Sequence, residues 1–211
     1  MSDAPDADDL AATLLALGSA TLGESGGKPM HPRIRAAWPG ASMAGPAYPV
    51  MCAAGDNLAV HAAVAEAPAG VVLVVATDPP ERGYWGEVLT TGAQARGIRG
   101  LVIDGGVRDV AALEALRFPV FSALIALQGA TKVSGGEIGG AARVGDVEVQ
   151  TGDWVVADRD GVIVIGRAQL RDTAARGRTR ADRETVMFSR LREGATTVEL
   201  LSLDTSSVTR P

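Results

Sequence analysis

Between Val71 and Ser122 the sequence alternates strand signals with helix signals, and this limits the folds open to the chain more than any other feature. Val71-Val-Leu-Val-Val75 is a continuous apolar, mostly β-branched run, as in a strand buried on both faces. Thr77-Asp-Pro-Pro80 breaks it. Gly86–Arg96 then places Val88, Leu89 and Ala93 on one helical face, and Gly97-Ile-Arg-Gly100 turns the chain into the strand Leu101–Asp104. Asp109–Leu116 reads as a short helix and Phe118–Ser122 as a further strand. Strands separated by helices of this length must cross over and pair in parallel, so the fold class is α/β. Upstream, Ala47–Ala53 is extended, and Asn57–Ala67 spaces Leu58, His61, Ala62 and Ala65 as a helix does.

The pattern changes beyond Thr131. Arg143–Val149, Asp153–Ala157 and Gly161–Ile165 are short strands divided by Gly and Asp turns, which predicts antiparallel structure over 131–165. Gln169–Glu193 is an arginine-rich helical stretch with Gly194 as its stop. Before the alternating region, Leu10–Leu17 suits a short apolar helix. Residues 1–9 read as a frayed tail, and the Gly-, Pro- and Ser-rich stretch 18–45 as loop with short regular pieces. Neither a linker nor an internal repeat is visible. The expected organisation is a tail and short helix over 1–18, one α/β domain over 19–200 and a C-terminal tail over 201–211.

Composition excludes several kinds of chemistry. Cys52 is the one cysteine, so an intrachain disulfide is impossible, a cysteine-based zinc site is not expected, and a reducing, cytoplasmic setting is expected. His31 and His61 are the two histidines, too few for a histidine-rich metal site. Lys28 and Lys132 are the two lysines, so a Schiff-base enzyme would have to use one of them. The formal net charge of −5 disfavours non-specific nucleic-acid binding. No apolar run reaches the roughly 20 residues of a membrane helix, and the acidic start Met1–Asp9 is unlike a secretory leader.

Three segments could carry chemistry. Gly83-Tyr-Trp-Gly-Glu-Val-Leu89 is a Gly-containing loop opening a helix, whose free N–H groups suit a carboxylate or phosphate; a plain tight turn has the same sequence. Asp104-Gly-Gly-Val-Arg-Asp109 follows a buried strand, which places Arg108 and Asp109 at the crevice edge of an open sheet. There Arg108 offers a planar fork to a carboxylate, and Asp109 a hard oxygen to Mg²⁺ or Mn²⁺. The competing reading makes Asp109 a helix cap and Arg108 half of a surface ion pair. Gly152-Asp153 and Ala157-Asp-Arg-Asp-Gly-Val162 are best read as turns. Cys52 and His61 read as core residues. The eight arginines of 167–192 read as a solvated helix face or a subunit contact.

The ordered series Gly86–Asp109, Phe118-Pro-Val-Phe121 and Gly152–Val162 resembles the RraA-like family, which includes 4-hydroxy-4-methyl-2-oxoglutarate aldolases and regulators of ribonuclease E activity. The resemblance spans about 45–200. It implies a three-layer β/β/α swivelling domain with parallel and antiparallel strands, assembled as a homotrimer or a hexamer with the site at a subunit boundary. Family aldolases carry an acidic residue, 20 residues and then Arg-Asp, a spacing met by Glu87 and Arg108-Asp109. By resemblance Asp109 is the direct metal ligand and Glu87 holds the metal through water. Glu184 does the same from the neighbouring subunit, and Arg108 lies beside the pyruvate oxygens. The segment Gly86, Glu87, Val88 and Leu89 would receive the substrate carboxylate. Two departures stand out. Thr21-Leu-Gly-Glu24 occupies the place of a family Asp-Ala-Leu-type segment, and Tyr48-Pro49 replaces a small residue and Thr.

The implied activity is a Mg²⁺- or Mn²⁺-dependent class II aldolase acting on a 4-hydroxy-2-oxo acid such as 4-hydroxy-4-methyl-2-oxoglutarate. It releases pyruvate, and the same chemistry allows oxaloacetate decarboxylation. The alternatives are a non-catalytic regulator binding ribonuclease E, and an aldolase-like enzyme recruited to another pathway.

Overall fold

Side-chain alternation along the strands sets the layering. Val72 and Val74 enter one buried cluster while Leu73 and Val75 enter another. Val155, Ala157, Val162 and Val164 share the first of these, whereas Trp154, Val156, Ile163 and Ile165 point into a third. A period of two with both faces apolar requires cover on both sides of each sheet.

The structure is a computed structural model and describes residues 7–209. In chain order the elements are α1 (Ala7–Glu24), β1 (Lys28–Pro29), β2 (Arg35–Ala36), β3 (Met43–Cys52), α2 (Leu58–Glu66), β4 (Val72–Ala76), β5 (Gly83–Trp85), α3 (Glu87–Ala95) and β6 (Gly100–Val107). They continue with α4 (Val110–Ala115), β7 (Val120–Ile125), β8 (Gly136–Ile138), β9 (Ala141–Val144), β10 (Val147–Gln150), β11 (Trp154–Asp158), β12 (Gly161–Ile165), α5 (Leu170–Arg192) and α6 (Thr197–Leu200). Strands β3, β4, β6 and β7 pair in parallel, as their crossover helices require. β11 pairs antiparallel with both β12 and the first half of β3. β9 and β10 form a separate hairpin. The expected α/β class with mixed strand directions is therefore present.

Helices α2, α3 and α4 cover one face of the parallel strands. The opposite face packs on β9–β12. This is the expected β/β/α core, and a further helical layer from α1 and α5 covers the outer side of β11 and β12.

That outer layer explains the main departure from the sequence reading. A short helix over 10–17 and loop from 18 were expected, yet α1 runs from Ala7 to Glu24 across Gly18, whose φ of 79° is non-helical. The chain restarts the helix at Ser19, whose N–H and hydroxyl both donate to the Asp158 carboxylate, at 2.7 and 2.6 Å. Leu14 and Leu22, on either side of the break, are completely buried. The frayed tail expected over 1–9 is helical from Ala7, and residues 1–6 lie outside the described ones. Among the described residues, no helix is long and apolar enough to cross a membrane.

Within 28–36 the short strands β1 and β2 are pinned by one guanidinium. Arg33 donates to both oxygens of Asp104 (2.9 and 2.7 Å) and to Asp146 (3.1 and 3.2 Å), while Asp104 also accepts from Gly145 N–H. Burial pushes the Asp104 carboxyl upward, but the hydrogen bonds from Arg33 and Gly145 outweigh it and hold the group below its usual range. The tie therefore stabilises the fold fully above the ordinary carboxylate range and is lost as pH falls through the lowered one. Arg33 is 36% exposed, so solvent screens the pair. Asp104→Asn is expected to cost about 1 kcal/mol, below the usual range for hydrogen bonds to charged groups because solvent screens the pair. Thermal melts should show a fall of about 2–4 °C at neutral pH that narrows on acidification.

Candidate active site

Strand β6 ends at Val107, and Arg108 and Asp109 follow at the carboxyl edge of the parallel strands. Its glycines let neighbouring chain come close. A Cβ on Gly106 would lie 2.5 Å from Arg82 O and 2.7 Å from Ala126 Cβ, so β5 and the end of β7 could not flank this strand if it carried a side chain there. Arg108 N–H donates to Trp85 O at 2.9 Å, tying the strand end to β5.

Asp109 stands in the left-handed region (φ 57°, ψ 34°) at the cap position of α4. Few non-glycine residues take that conformation, and Asp is among those that tolerate it. The capping reading is not met: the Asp109 side chain makes no cap hydrogen bond to α4. Its Oδ2 instead accepts from the backbone N–H of Glu87 at 3.0 Å. The carboxylate thus sits at the start of α3, where the helix dipole favours negative charge. A Cβ on Gly86 would lie 2.4 Å from Asp109 Oδ2, so the approach requires glycine at position 86. Arg108 Nε is 3.8 Å from the same oxygen, and the two side chains are 46% and 41% exposed. This is a loose pair that leaves both groups open to a ligand.

The wall behind these groups is rigid. Tyr84 and Trp85 are buried, Trp85 stacks on Phe118 with centroids 5.9 Å apart, and Trp85 Nε1 donates to Thr90 Oγ1 at 2.7 Å. A cavity of about 300 Å³ opens in front, lined by Asn57, His61, Trp85, Val88, Arg108, Asp109 and Lys132 among others.

Of the residues expected at the site, the cavity lining includes Gly86, Val88, Leu89, Arg108 and Asp109. Glu87 adjoins them as the exposed first residue of α3, and its N–H is already engaged by Asp109. The N–H groups of Val88 and Leu89, which helix geometry leaves without intrahelical partners, are not engaged in this way. Glu184 lies on α5, where its carboxylate forms an ion pair with Arg180 (2.8 Å) and lines a different groove. Its expected role belongs to the neighbouring subunit's site and not to the site of its own chain.

Asn57, His61 and Lys132 were not expected here. Asn57 Nδ2 donates to Tyr84 O at 2.8 Å, which turns Oδ1 away; that oxygen and His61 Nε2 are buried without a hydrogen-bond partner. Burial lowers the His61 pKa, and the charge on Lys132 lowers it further against the opposing pull of Asp56, so the imidazole is neutral near pH 7. The spacing of Asn57 and His61, one helical turn apart, was the available sequence signal. Cys52 is buried, as expected of a core residue, and burial, with Asp56 nearby, pushes its thiol up to about 12.

The donor set suits a hard divalent cation. Among the described residues no cluster of three or more His, Cys, Asp or Glu side chains encloses a cation. Mg²⁺ and Mn²⁺ need no such cage: one or two carboxylates suffice while waters or substrate oxygens complete the shell. Asp109 lines the cavity with a carboxylate half exposed, and Glu87, exposed at the start of α3, is the nearest acidic residue in the chain.

Fold and cavity together define an α/β protein with an acid and a guanidinium at the carboxyl end of its parallel strands. The chain belongs to the RraA-like family, whose Aldolase/RraA model matches residues 2–164. It is 40% identical over 126 residues to a Halalkalibacterium halodurans protein named "Putative 4-hydroxy-4-methyl-2-oxoglutarate aldolase". That match covers 59% of this chain and 60% of the relative, so the chain spans less than two thirds of that relative's length. A crystal structure of an uncharacterized Pseudomonas syringae pv. tomato protein superposes with a TM-score of 0.82 at 25% identity, covering 93% of this chain and 94% of that one. The RNA-processing inhibitor RraA from Thermus thermophilis gives a TM-score of 0.64 at 25% identity, covering 70% and 91%.

Gly86→Ala tests the geometry directly. The new methyl group displaces the Asp109 carboxylate from Glu87 N–H, so hydrogen exchange at the Glu87 amide should accelerate at least tenfold while the melting temperature stays within a few degrees.

Proposed function

We propose that the protein is a divalent-metal-dependent lyase that cleaves a 4-hydroxy-2-oxo acid, such as 4-hydroxy-4-methyl-2-oxoglutarate, to pyruvate, with oxaloacetate decarboxylation as a second activity. The observation that carries this reading is the Asp109 carboxylate held over Gly86 at the start of α3, with Arg108 beside it. The name of the Halalkalibacterium halodurans relative points the same way.

Asp109 would hold Mg²⁺ or Mn²⁺ directly, and Glu87 through water. When bound, the cation supplies a Lewis acid that draws electron density from the 2-oxo acid. The residues of the chain do the rest. The Val88 and Leu89 N–H groups bind the 2-oxo acid's carboxylate at the positive end of α3. Arg108 donates to the 2-oxo oxygen and stabilises the negative charge that grows there as the carbon–carbon bond breaks. The rigid Trp85–Phe118 wall keeps one side of the cavity apolar, which strengthens these charge interactions. A second copy of the chain, in a trimer or a hexamer, would bring its Glu184 to the same cation.

Asp109→Ala should fold and lose metal-dependent pyruvate release altogether. Arg108→Ala should lose roughly 100- to 1000-fold, the usual cost of removing a charge stabiliser. A coupled pyruvate assay over a panel of 2-oxo acids, with Mg²⁺ and with a chelator, reads both. Full activity in folded Asp109→Ala would overturn the proposal. An inactive wild-type protein that captures ribonuclease E regardless of Asp109 would replace it with the regulator reading.

A further inference from the structure

Asp56 is a completely buried carboxylate 53 positions before Asp109 in the chain, and it makes no contact with Arg108 or Asp109 in the hydrogen-bond network described above. Its Oδ1 accepts from Leu58 N–H at 2.8 Å, at the start of α2. Its Oδ2 accepts from Thr131 Oγ1 and Val133 N–H, each at 2.7 Å, and from Ser134 N–H at 3.0 Å. Burial pushes the carboxyl upward, but these hydrogen bonds prevail and hold it far below the ordinary carboxylate range, so it is charged throughout the neutral range. Two backbone bonds close the same junction, Thr131 N–H to Gly55 O and Asn57 N–H to Thr131 O, both 2.9 Å.

The three groups that Oδ2 holds flank Lys132 on both sides without including it. Lys132 is exposed, lines the cavity that contains Arg108 and Asp109, and is one of only two lysines in the chain. A loop anchored at 131, 133 and 134 fixes the backbone from which Lys132 projects. A neutral amide could not serve as well: Asn has a single acceptor oxygen and would set an NH₂ group against backbone donors.

We infer that Asp56 is a positioning residue that fixes the 131–134 loop so that Lys132 presents its ammonium to the cavity, where it binds an anionic group of the substrate. The inference rests on the 2-oxo acid reading for the identity of that anion, whereas the loop anchor stands apart from it.

The experiment therefore has two readouts, both on the full chain. Trypsin cleavage after Lys132, followed by mass spectrometry, reports the anchor without any assay of activity. Asp56→Asn should be cut there at least tenfold faster than wild type. Thr131→Val, which removes one hydrogen bond and guards against misfolding of the first variant, should be cut about threefold faster. Cleavage at the wild-type rate in both variants overturns the inference. Oxaloacetate turnover with Mg²⁺ reports the consequence. KM should rise about tenfold in Asp56→Asn while kcat changes less than threefold. Lys132→Met should match it, and the double variant should be no worse than Lys132→Met alone. Losses that multiply in the double variant would make Asp56 a merely structural residue and also overturn the inference. Faster cleavage of the variants together with a wild-type protein that turns over no 2-oxo acid would sustain the anchor and discard the proposed reaction.

Discussion

The contact between the Asp109 carboxylate and the Glu87 amide depends on nearly everything around it. It needs a residue in the left-handed conformation just after β6, a glycine at 86 to clear the approach, and a helix starting at 87 to supply the N–H. Each part comes from a different element, so the parallel sheet has to bring β5 and β6 side by side before the site exists. The negative group then lies at the positive end of α3, next to a guanidinium that remains half exposed. The two groups divide the work by charge: the guanidinium is open to an anionic oxygen, and the carboxylate to a positively charged partner.

The cavity is assembled from two kinds of support. Trp85, Tyr84 and Phe118 form a wall by packing, and their burial leaves them little freedom. The opposite side is a loop with an exposed surface, held by hydrogen bonds to a buried charge. Packing gives a surface its shape, and directional bonds let a polar segment cross an apolar one without losing its conformation. Both kinds are needed where a charged side chain must stand over a hydrophobic floor.

The alternating middle of the chain could be read closely from sequence. The strand signal at 71–75 became β4 at 72–76, and the helix signals at 86–96 and 109–116 became α3 and α4 within a residue or two. Apolar period and Gly-Pro punctuation are local properties, and these elements obey them. The Arg108–Asp109 pair was legible for the same reason, since it terminates a buried strand. What could not be read depended on distant partners. Helix α1 continues past Gly18 because Asp158, 139 positions later, receives Ser19. Lys132 reaches the cavity because Asp56, 75 positions from Thr131, takes hold of its loop. The orientation of the Asp109 side chain also escaped the sequence, because an aspartate that caps the helix after it and one that turns to the start of another helix occupy the same place in the chain.

Strand β3 belongs to both halves of the sheet system. Its first half pairs with β11 and its second half with β4, and Pro46, which has no N–H to give, stands opposite Trp154 just before the partner changes. The two β layers are thus stitched by one continuous piece of backbone as well as by the side chains between them. Neither layer can peel away while the other stays intact, because separation would have to tear that shared strand out of one of its ladders. Loosening of either ladder is consequently passed to the other through the backbone of β3.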